Sequence, residues 1–386
     1  MSAAGGLRVV DLSGPAGAYG TKLLADLGAD VIKVEPPAGD PMRRMAPHLE
    51  DVEPPESSLW WAFFAAGKKS VVLDLHSEEG RSSLRDLAST ADAVVESAGP
   101  GVLDRSGIGP DSLRADHPEL IWVAISPFGA SGRLRDWAGS NLVAWAMSGV
   151  LYTSGMPDRP PVIPGGQALL ACHTAALDAA IGLMLAVRAR RRSGRGQFVD
   201  VSMQEAMAAV SAEVGAGIYL DDLVARPRQG NRRPVTRPWG LYPTADGYAS
   251  VVVLQPAHWA AWSRWTNEVT GNEAILDPVF ADMRMRWEAS DAVDLWAEEL
   301  TEGVGKQDLF EEGQRRGIPI TPVNTVADLN DDPQLAAAGF FDEIDHPAMG
   351  ALRMPVAPIQ LEHGDRRRAS RAPLLGEHTE AVLGGS

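Results

Sequence analysis

The chain has 386 residues, 45% hydrophobic and 22% charged, the composition of a folded globular protein with enough apolar material for one large or two moderate cores. A formal net charge of −16 argues against a nucleic-acid binder or a protein of anionic membranes, both of which rely on net positive fields. The single cysteine, Cys172, excludes an intrachain disulfide and a Cys-rich metal site, and it fits a reducing compartment.

Met1 to Gly6 has no basic n-region, and the apolar stretch that follows is broken by Arg8 and Asp11, so no signal peptide is expected. No uninterrupted apolar run reaches the roughly 18 residues of a membrane span. The expectation is a cytoplasmic protein that engages neither membrane nor nucleic acid.

In chain order, Leu7 to Leu12 reads as a strand, Tyr19 to Leu27 as a helix ended by Gly28, and Val31 to Glu35 as a second strand. Val71 to Leu75, the helical Glu78 to Ala91, Ala93 to Val95 and Ile121 to Ile125 continue the alternation. This predicts an α/β fold, a parallel sheet covered by helices with right-handed crossovers. Asn141 to Leu151 and Leu169 to Arg190 are Ala-rich and mostly apolar, so both read as buried helices, the second closed by a glycine cap at Gly194. Phe198 to Ser202 reads as a strand before a helix from Met203. Residues 225–237, rich in Arg, Pro, Gly and Asn, read as a linker. A second, smaller domain is expected over 238–325, with a Leu241 to Leu254 hairpin turning at Ala245-Asp246-Gly247 and a Trp-rich helical stretch from Trp259 to Glu312. The tail returns to short strands and turns.

Several short segments carry chemistry. Ser13-Gly14-Pro15-Ala16-Gly17, in the first βα turn, would let backbone N–H groups approach a phosphate, although a plain turn would look the same. Gly67-Lys68-Lys69-Ser70 offers two ammonium groups and a hydroxyl to a polyanion. Arginines cluster over 188–195 and 226–237, as they do at solvated helix ends. Cys172-His173 is the only neighbouring Cys–His pair, but successive helical residues point about 100° apart, so His173 is poorly placed as a base for Cys172. The eight histidines show no metal-ligand spacing, and no metal is expected. The eleven tryptophans fit either a core or the wall of a pocket for a bulky group.

Leu23-Leu24-Ala25-Asp26-Leu27-Gly28-Ala29-Asp30-Val31-Ile32-Lys33-Val34-Glu35-Pro36-Pro37 resembles the opening signature of the class III CoA-transferases, the family of formyl-CoA transferase, carnitine CoA-transferase and α-methylacyl-CoA racemase. The resemblance continues through Gly67-Lys68-Lys69-Ser70, Leu73-Asp74-Leu75, Pro100-Gly101-Val102, Ala146-Met147-Ser148-Gly149, Gly194-Arg195-Gly196-Gln197 and Gly376-Glu377-His378-Thr379, essentially the whole chain. It implies a Rossmann-like large domain built from both termini (1–224 and 326–386), the inserted small domain, and an interlocked ring-like dimer. It also implies coenzyme A or acyl-CoA as the bound substrate and a small carboxylic acid as co-substrate. By position it points to Ser13, Lys68, Lys69, Ser97, Ala98 and Arg105 as CoA contacts, with Arg43 or Arg44 near the adenine end.

Three departures qualify that resemblance. The loop after the first strand is one residue short of the usual form. Ser140-Asn141 stands where the family often has an aromatic residue or His followed by a carboxylate. The nucleophilic Asp has no counterpart: counting back from Gly194 lands on Cys172, and counting forward from Pro164 lands on Leu170. In the family's cycle a carboxylate attacks the thioester and then holds CoA as an enzyme thioester. The Asn141 amide is a poor nucleophile, and Asp178 lies nearly two turns further along. Three functions remain open. The chain is a transferase subunit, in a homodimer or with an Asp-containing paralogue; an acyl-CoA isomerase, lyase or hydratase working through His173, Asn141, Ser140 or Cys172; or a non-catalytic acyl-CoA-binding protein.

Overall fold

The computed structural model describes residues 4–163, 169–211, 228–233, 235–362 and 368–384. Pro164-Gly165-Gly166 and part of the expected linker lie outside the described residues. By its internal contacts the chain divides into two compact units, one of Met1–Leu151, Gly165–Ala225 and Pro333–Ser386, the other of Tyr152–Pro164 and Arg226–Asp332.

The first unit is a mixed α/β layered structure, as the alternation of elements predicts. Its strands β1 (Arg8–Leu12), β2 (Asp30–Glu35), β3 (Lys69–Val72), β4 (Ala93–Glu96), β5 (Ile121–Ser126) and β6 (Phe198–Ser202) form one parallel sheet in the order β3-β2-β1-β4-β5-β6. The inner strands are apolar on both faces, as a sheet covered twice requires. Val9, Val31, Val95, Val123 and Ile125 turn to one core with residues of α1 (Pro15–Asp26) and α6 (Leu170–Ser193). Val10, Ile32, Val94 and Trp122 turn to another with α3 (Glu78–Ser89) and α4 (Pro110–Asp116). At Gly20, where α1 meets α6, an added Cβ would stand 2.1 Å from the Ala176 carbonyl oxygen, so the close approach requires a residue without a side chain.

Helix α6 ends at Gly194, φ 69°, in the expected left-handed cap, with Arg190, Arg191 and Arg192 in its last turn. Arg190 donates to the Asp92 carboxylate at 2.5 Å, so this basic residue holds the fold. By length and composition α6 is apolar enough to cross a membrane, but it packs on the sheet and on α1, as a core helix does. It is not buried all round: Leu170, Leu177, Ile181, Met184 and Leu185 form an exposed stripe. The other expected buried helix, Asn141 to Leu151, is shorter than its composition suggests. Helix α5 covers only Asn141–Met147, with Leu142 and Met147 exposed, and Gly149 at φ 85° ends the segment.

The C-terminal segment closes the same unit. The Pro373 carbonyl accepts from Trp61 Nε1 at 3.0 Å and from Arg43 Nη2 at 3.3 Å, and Gly376 N donates to Ser70 Oγ at 2.8 Å. A hairpin of β10 (Phe341–His346) and β11 (Gly350–Pro355) precedes this segment.

The second unit holds an antiparallel sheet of β7 (Trp239–Thr244), β8 (Gly247–Val252) and β9 (Ile320–Pro322), the β7–β8 turn falling at Ala245-Asp246. The Trp-rich stretch is several helices, Pro256–Thr270, Ser290–Thr301 and Lys306–Arg315 among them. Its core takes Trp259, Trp262 and Trp265 with Tyr242. Most of the chain's buried tryptophans, Trp61, Trp122 and Trp145 included, are core residues, whereas Trp137 is exposed.

Candidate active site

In an open parallel sheet a ligand crevice forms outside the carboxyl ends of the strands, where the strand order reverses. Here β1 lies between β2 and β4, and its C-terminal end opens onto a 480 Å³ cleft. The cleft is walled by Gly14 and Pro15 after β1, Pro36 and Pro37 after β2, Leu73 to His76 after β3, and Ser97, Ala98 and Leu103 after β4.

A buried ionic network fixes the first wall. The Asp11 carboxylate accepts from Ser13 N at 2.9 Å, Ser13 Oγ at 2.6 Å, Thr21 Oγ1 at 2.7 Å and Lys68 Nζ at 2.9 Å. Burial disfavours its anion, but Lys68 and Lys33 outweigh this and hold the carboxyl well below the usual carboxylate range. Lys33 donates to the Ser13 carbonyl at 2.5 Å and pairs with Asp40 at 3.0 Å. Burial pulls the Lys68 ammonium below its ordinary pKa, against the pull of Asp11. Gly14 N donates to Ser97 Oγ at 2.9 Å, joining the β1 turn to the β4 loop across the cleft.

This geometry changes how several expected contacts read. Lys68 and Ser13 are buried, and their polar groups are spent on Asp11, so they shape the turn and present no free charge or hydroxyl to a ligand. Arg43 is likewise sealed: its guanidinium lies 3.8 Å from the Trp61 ring and donates to Glu35 at 2.7 and 2.9 Å and to Glu56 at 2.7 Å. Lys69 opens β3, at the amino end of the sheet, and pairs with Asp30 at 2.6 Å, away from the strands' carboxyl ends. Arg44 is exposed and donates to the Ala38 carbonyl at 3.1 Å, in the segment that borders the cleft. Ser97 and Ala98 line the cleft, and Arg105 is exposed just beyond its Leu103 wall. Sequence reasoning missed Pro36, Pro37 and Leu73 to His76. Pro36 and Pro37 follow the end of the predicted strand Val31 to Glu35, whereas Leu73 to Leu75 read in the sequence as part of a strand that in the structure ends at Val72.

The other candidate residues meet at the head of α6. The helix has no side-chain cap of its own, and Asn141 supplies one from α5, its Oδ1 accepting from Ala171 N at 3.0 Å and Cys172 N at 3.3 Å. Ser140 caps α5. Cys172 is 6% exposed within the sheet-facing core, and burial pushes its thiol up to about 11. His173 points elsewhere, into a cluster with Tyr19, Trp60 and Phe64 at centroid distances of 5.7, 6.3 and 5.3 Å. Burial lowers its pKa, so the imidazole is neutral. The two side chains do not act as a pair. Asp178 is exposed further along α6. Among the described residues no group of three or more His, Cys, Asp or Glu is arranged to hold a metal ion.

Comparison with known proteins agrees with this architecture. The model of CoA-transferase family III matches residues 5–379. Succinyl-CoA:(R)-benzylsuccinate CoA-transferase subunit BbsE of Thauera aromatica is 36% identical, over 97% of this chain and 92% of that protein. Formyl-CoA:oxalate CoA-transferase of Streptomyces avermitilis is 30% identical, over 98% of this chain and 94% of its own length. The crystal structure of a CAIB/BAIF family protein from Brucella suis superimposes with a TM-score of 0.89 at 33% identity, covering 100% of this chain and 99% of that one. The chain belongs to CoA-transferase family III.

Proposed function

We propose that this chain is the CoA-binding subunit of a heteromeric class III CoA-transferase, whose Asp-bearing partner supplies the nucleophile for exchange of CoA between an acyl-CoA and a small carboxylic acid. The observation that carries this reading is Cys172 at the head of α6. A buried thiol with a pKa near 11 offers almost no thiolate at neutral pH. Even if acylated, it would have to pass CoA onward through an uphill anhydride. The helix N–H groups that would favour an anion there are already taken by the neutral Asn141 amide.

Two further features support the reading. The exposed apolar stripe of α6 is the kind of surface that a protein partner covers. The relative from Thauera aromatica is itself named a subunit. In this reading CoA lies in the cleft against Ser97, Ala98 and the backbone of the β1 turn, with Arg44 and Arg105 as its mobile cations, and residues 238–325 act as the small domain. We place the assembly in the cytoplasm.

The test is purification from the source cell followed by incubation with acyl-CoA and intact-mass analysis. A stoichiometric Asp-containing paralogue is expected, with the CoA thioester on the partner alone. A homodimer that converts an acyl-CoA unaided would instead favour isomerase, lyase or hydratase chemistry. A CoA thioester on this chain would refute the assignment outright.

A further inference from the structure

A second cavity, of 340 Å³, lies on the other side of the loop that follows β4. It shares only Leu103 with the cleft and is enclosed by β4, β5, β6, α4 and the segment after β5. Arg114, from α4, lines it, half buried. Its Nε is shielded from solvent, and the guanidinium has no hydrogen-bond or ion-pair partner among the described residues. A shielded N–H without an acceptor is costly, and a ligand oxyanion accepting from Nε would remove that cost. Glu96, at the end of β4, lines the same cavity and is 5% exposed, one oxygen accepting from Ala98 N at 2.6 Å.

The other charged groups facing Glu96 across the cavity are Asp104, Asp111, Asp200 and Arg135. Asp104 accepts from Asp111 N at 3.3 Å, and Asp200 accepts from Ala130 N at 2.9 and 3.0 Å, so both are partly neutralised by backbone. Arg135 lies 3.7 Å from the neighbouring Asp136. A dianionic phosphate would be opposed by these carboxylates. A simple cation would leave Arg114 unanswered. A single carboxylate satisfies the guanidinium, and the surrounding aspartates suit hydrogen-bond donors on the rest of a small molecule.

We infer that this cavity binds a small carboxylic acid, its carboxylate on Arg114 and one oxygen facing the Glu96 carboxyl, at a site separate from the CoA cleft. Two facing carboxyl groups share a proton far more readily than they tolerate two charges. Burial pushes the Glu96 carboxyl up to about 7, against the stabilising amide of Ala98, so near neutrality it donates a hydrogen bond to the ligand. Binding therefore strengthens as pH falls through that range.

The test is calorimetric titration of the full chain with acetate, lactate and succinate at about pH 6 and about pH 8.5, where the protonated fraction of a group with pKa about 7 differs about 30-fold. At least one acid should bind, with an affinity lower by about that factor at the higher pH. Arg114→Gln should abolish binding, and since Arg114 makes no internal hydrogen bond or ion pair among the described residues that variant should fold normally. Glu96→Gln, which keeps a donor at every pH, should bind with no pH dependence. Absence of binding by all three acids overturns the site. So does equal binding by Arg114→Gln, which would place the acid elsewhere, such as the cleft, or a wild-type affinity unchanged between the two pH values. Loss of CoA binding to the cleft leaves this outcome unaffected, so the two readings fail separately.

Discussion

Replacing Asp11 by Asn tests whether the β1 turn is held by charge. The substitution keeps the side chain's shape but leaves Lys68 buried without its anion, while Lys33 retains Asp40. At 2.9 and 3.9 Å the attractions of Lys68 and Lys33 to Asp11 amount to about 6 and about 4 kcal/mol at an effective dielectric of about 20, before desolvation is subtracted. Breaking a buried pair from one side typically costs about 3–5 kcal/mol, and since Ser13 donates to one Asp11 oxygen and Thr21 with Lys68 to the other, whichever oxygen becomes the amide NH2 leaves a buried donor without its acceptor, which places this case within that range. Urea unfolding followed by circular dichroism should show a midpoint lower by about 1 M. In the variant the folded Lys68 has a pKa further below its unfolded value. The unfolded chain then binds more protons, and the deficit should shrink as pH rises. Lys68→Met added to Asp11→Asn should recover much of the loss. A loss below about 1 kcal/mol, or a double variant no better than the single one, would refute the account.

Other outcomes follow from the same structure. Glu96 has a folded pKa of about 7 against an ordinary value of 4.5, so the folded state binds the extra proton between those limits and stability should fall as pH rises from about 4.5 to 7, then level off. Glu96→Gln should remove that slope and melt higher than wild type at about pH 8, by an amount on the order of 3 kcal/mol; an unchanged slope would contradict the burial argument. Gly20→Val drives a side chain into the Ala176 carbonyl and should destabilise the α1–α6 packing by more than about 3 kcal/mol, seen as a lower melting temperature or as insoluble protein. Iodoacetamide at about pH 8 should label Cys172 at least about 100-fold more slowly in the folded chain than in denaturant; comparable rates would mean that the thiol is accessible.

The sheet was legible because buried parallel strands are runs of Val and Ile, and Val31 to Glu35 or Ile121 to Ile125 admit little else. Gly194 marked the end of α6 for the same local reason. What periodicity did not convey is which side of an Ala-rich segment finds a partner. Asn141 to Leu151 and the α6 stripe are as apolar as core helices, yet part of each faces outward. The site was harder to read than the fold. Lysines in a loop suggest a phosphate, but only tertiary structure reveals that Lys68 turns inward to Asp11, a residue 57 positions away. Arg43 was obscured in the same way by Glu35 and Trp61. The Asn141 cap, set 31 residues from Cys172, has no local signature at all.

The clasp between Pro373–Gly376 and the Trp61–Ser70 region has a consequence for how the protein is made. Trp61, Arg43 and Ser70 wait on groups that leave the ribosome 312, 330 and 306 residues after them. During synthesis the nascent β1–β3 region exposes a half-finished core around Trp61, a state that invites aggregation and favours chaperone capture. Commitment to the native state is thus deferred until Pro373–Gly376 has emerged, and a message truncated shortly before Pro373 should yield a product that never reaches it.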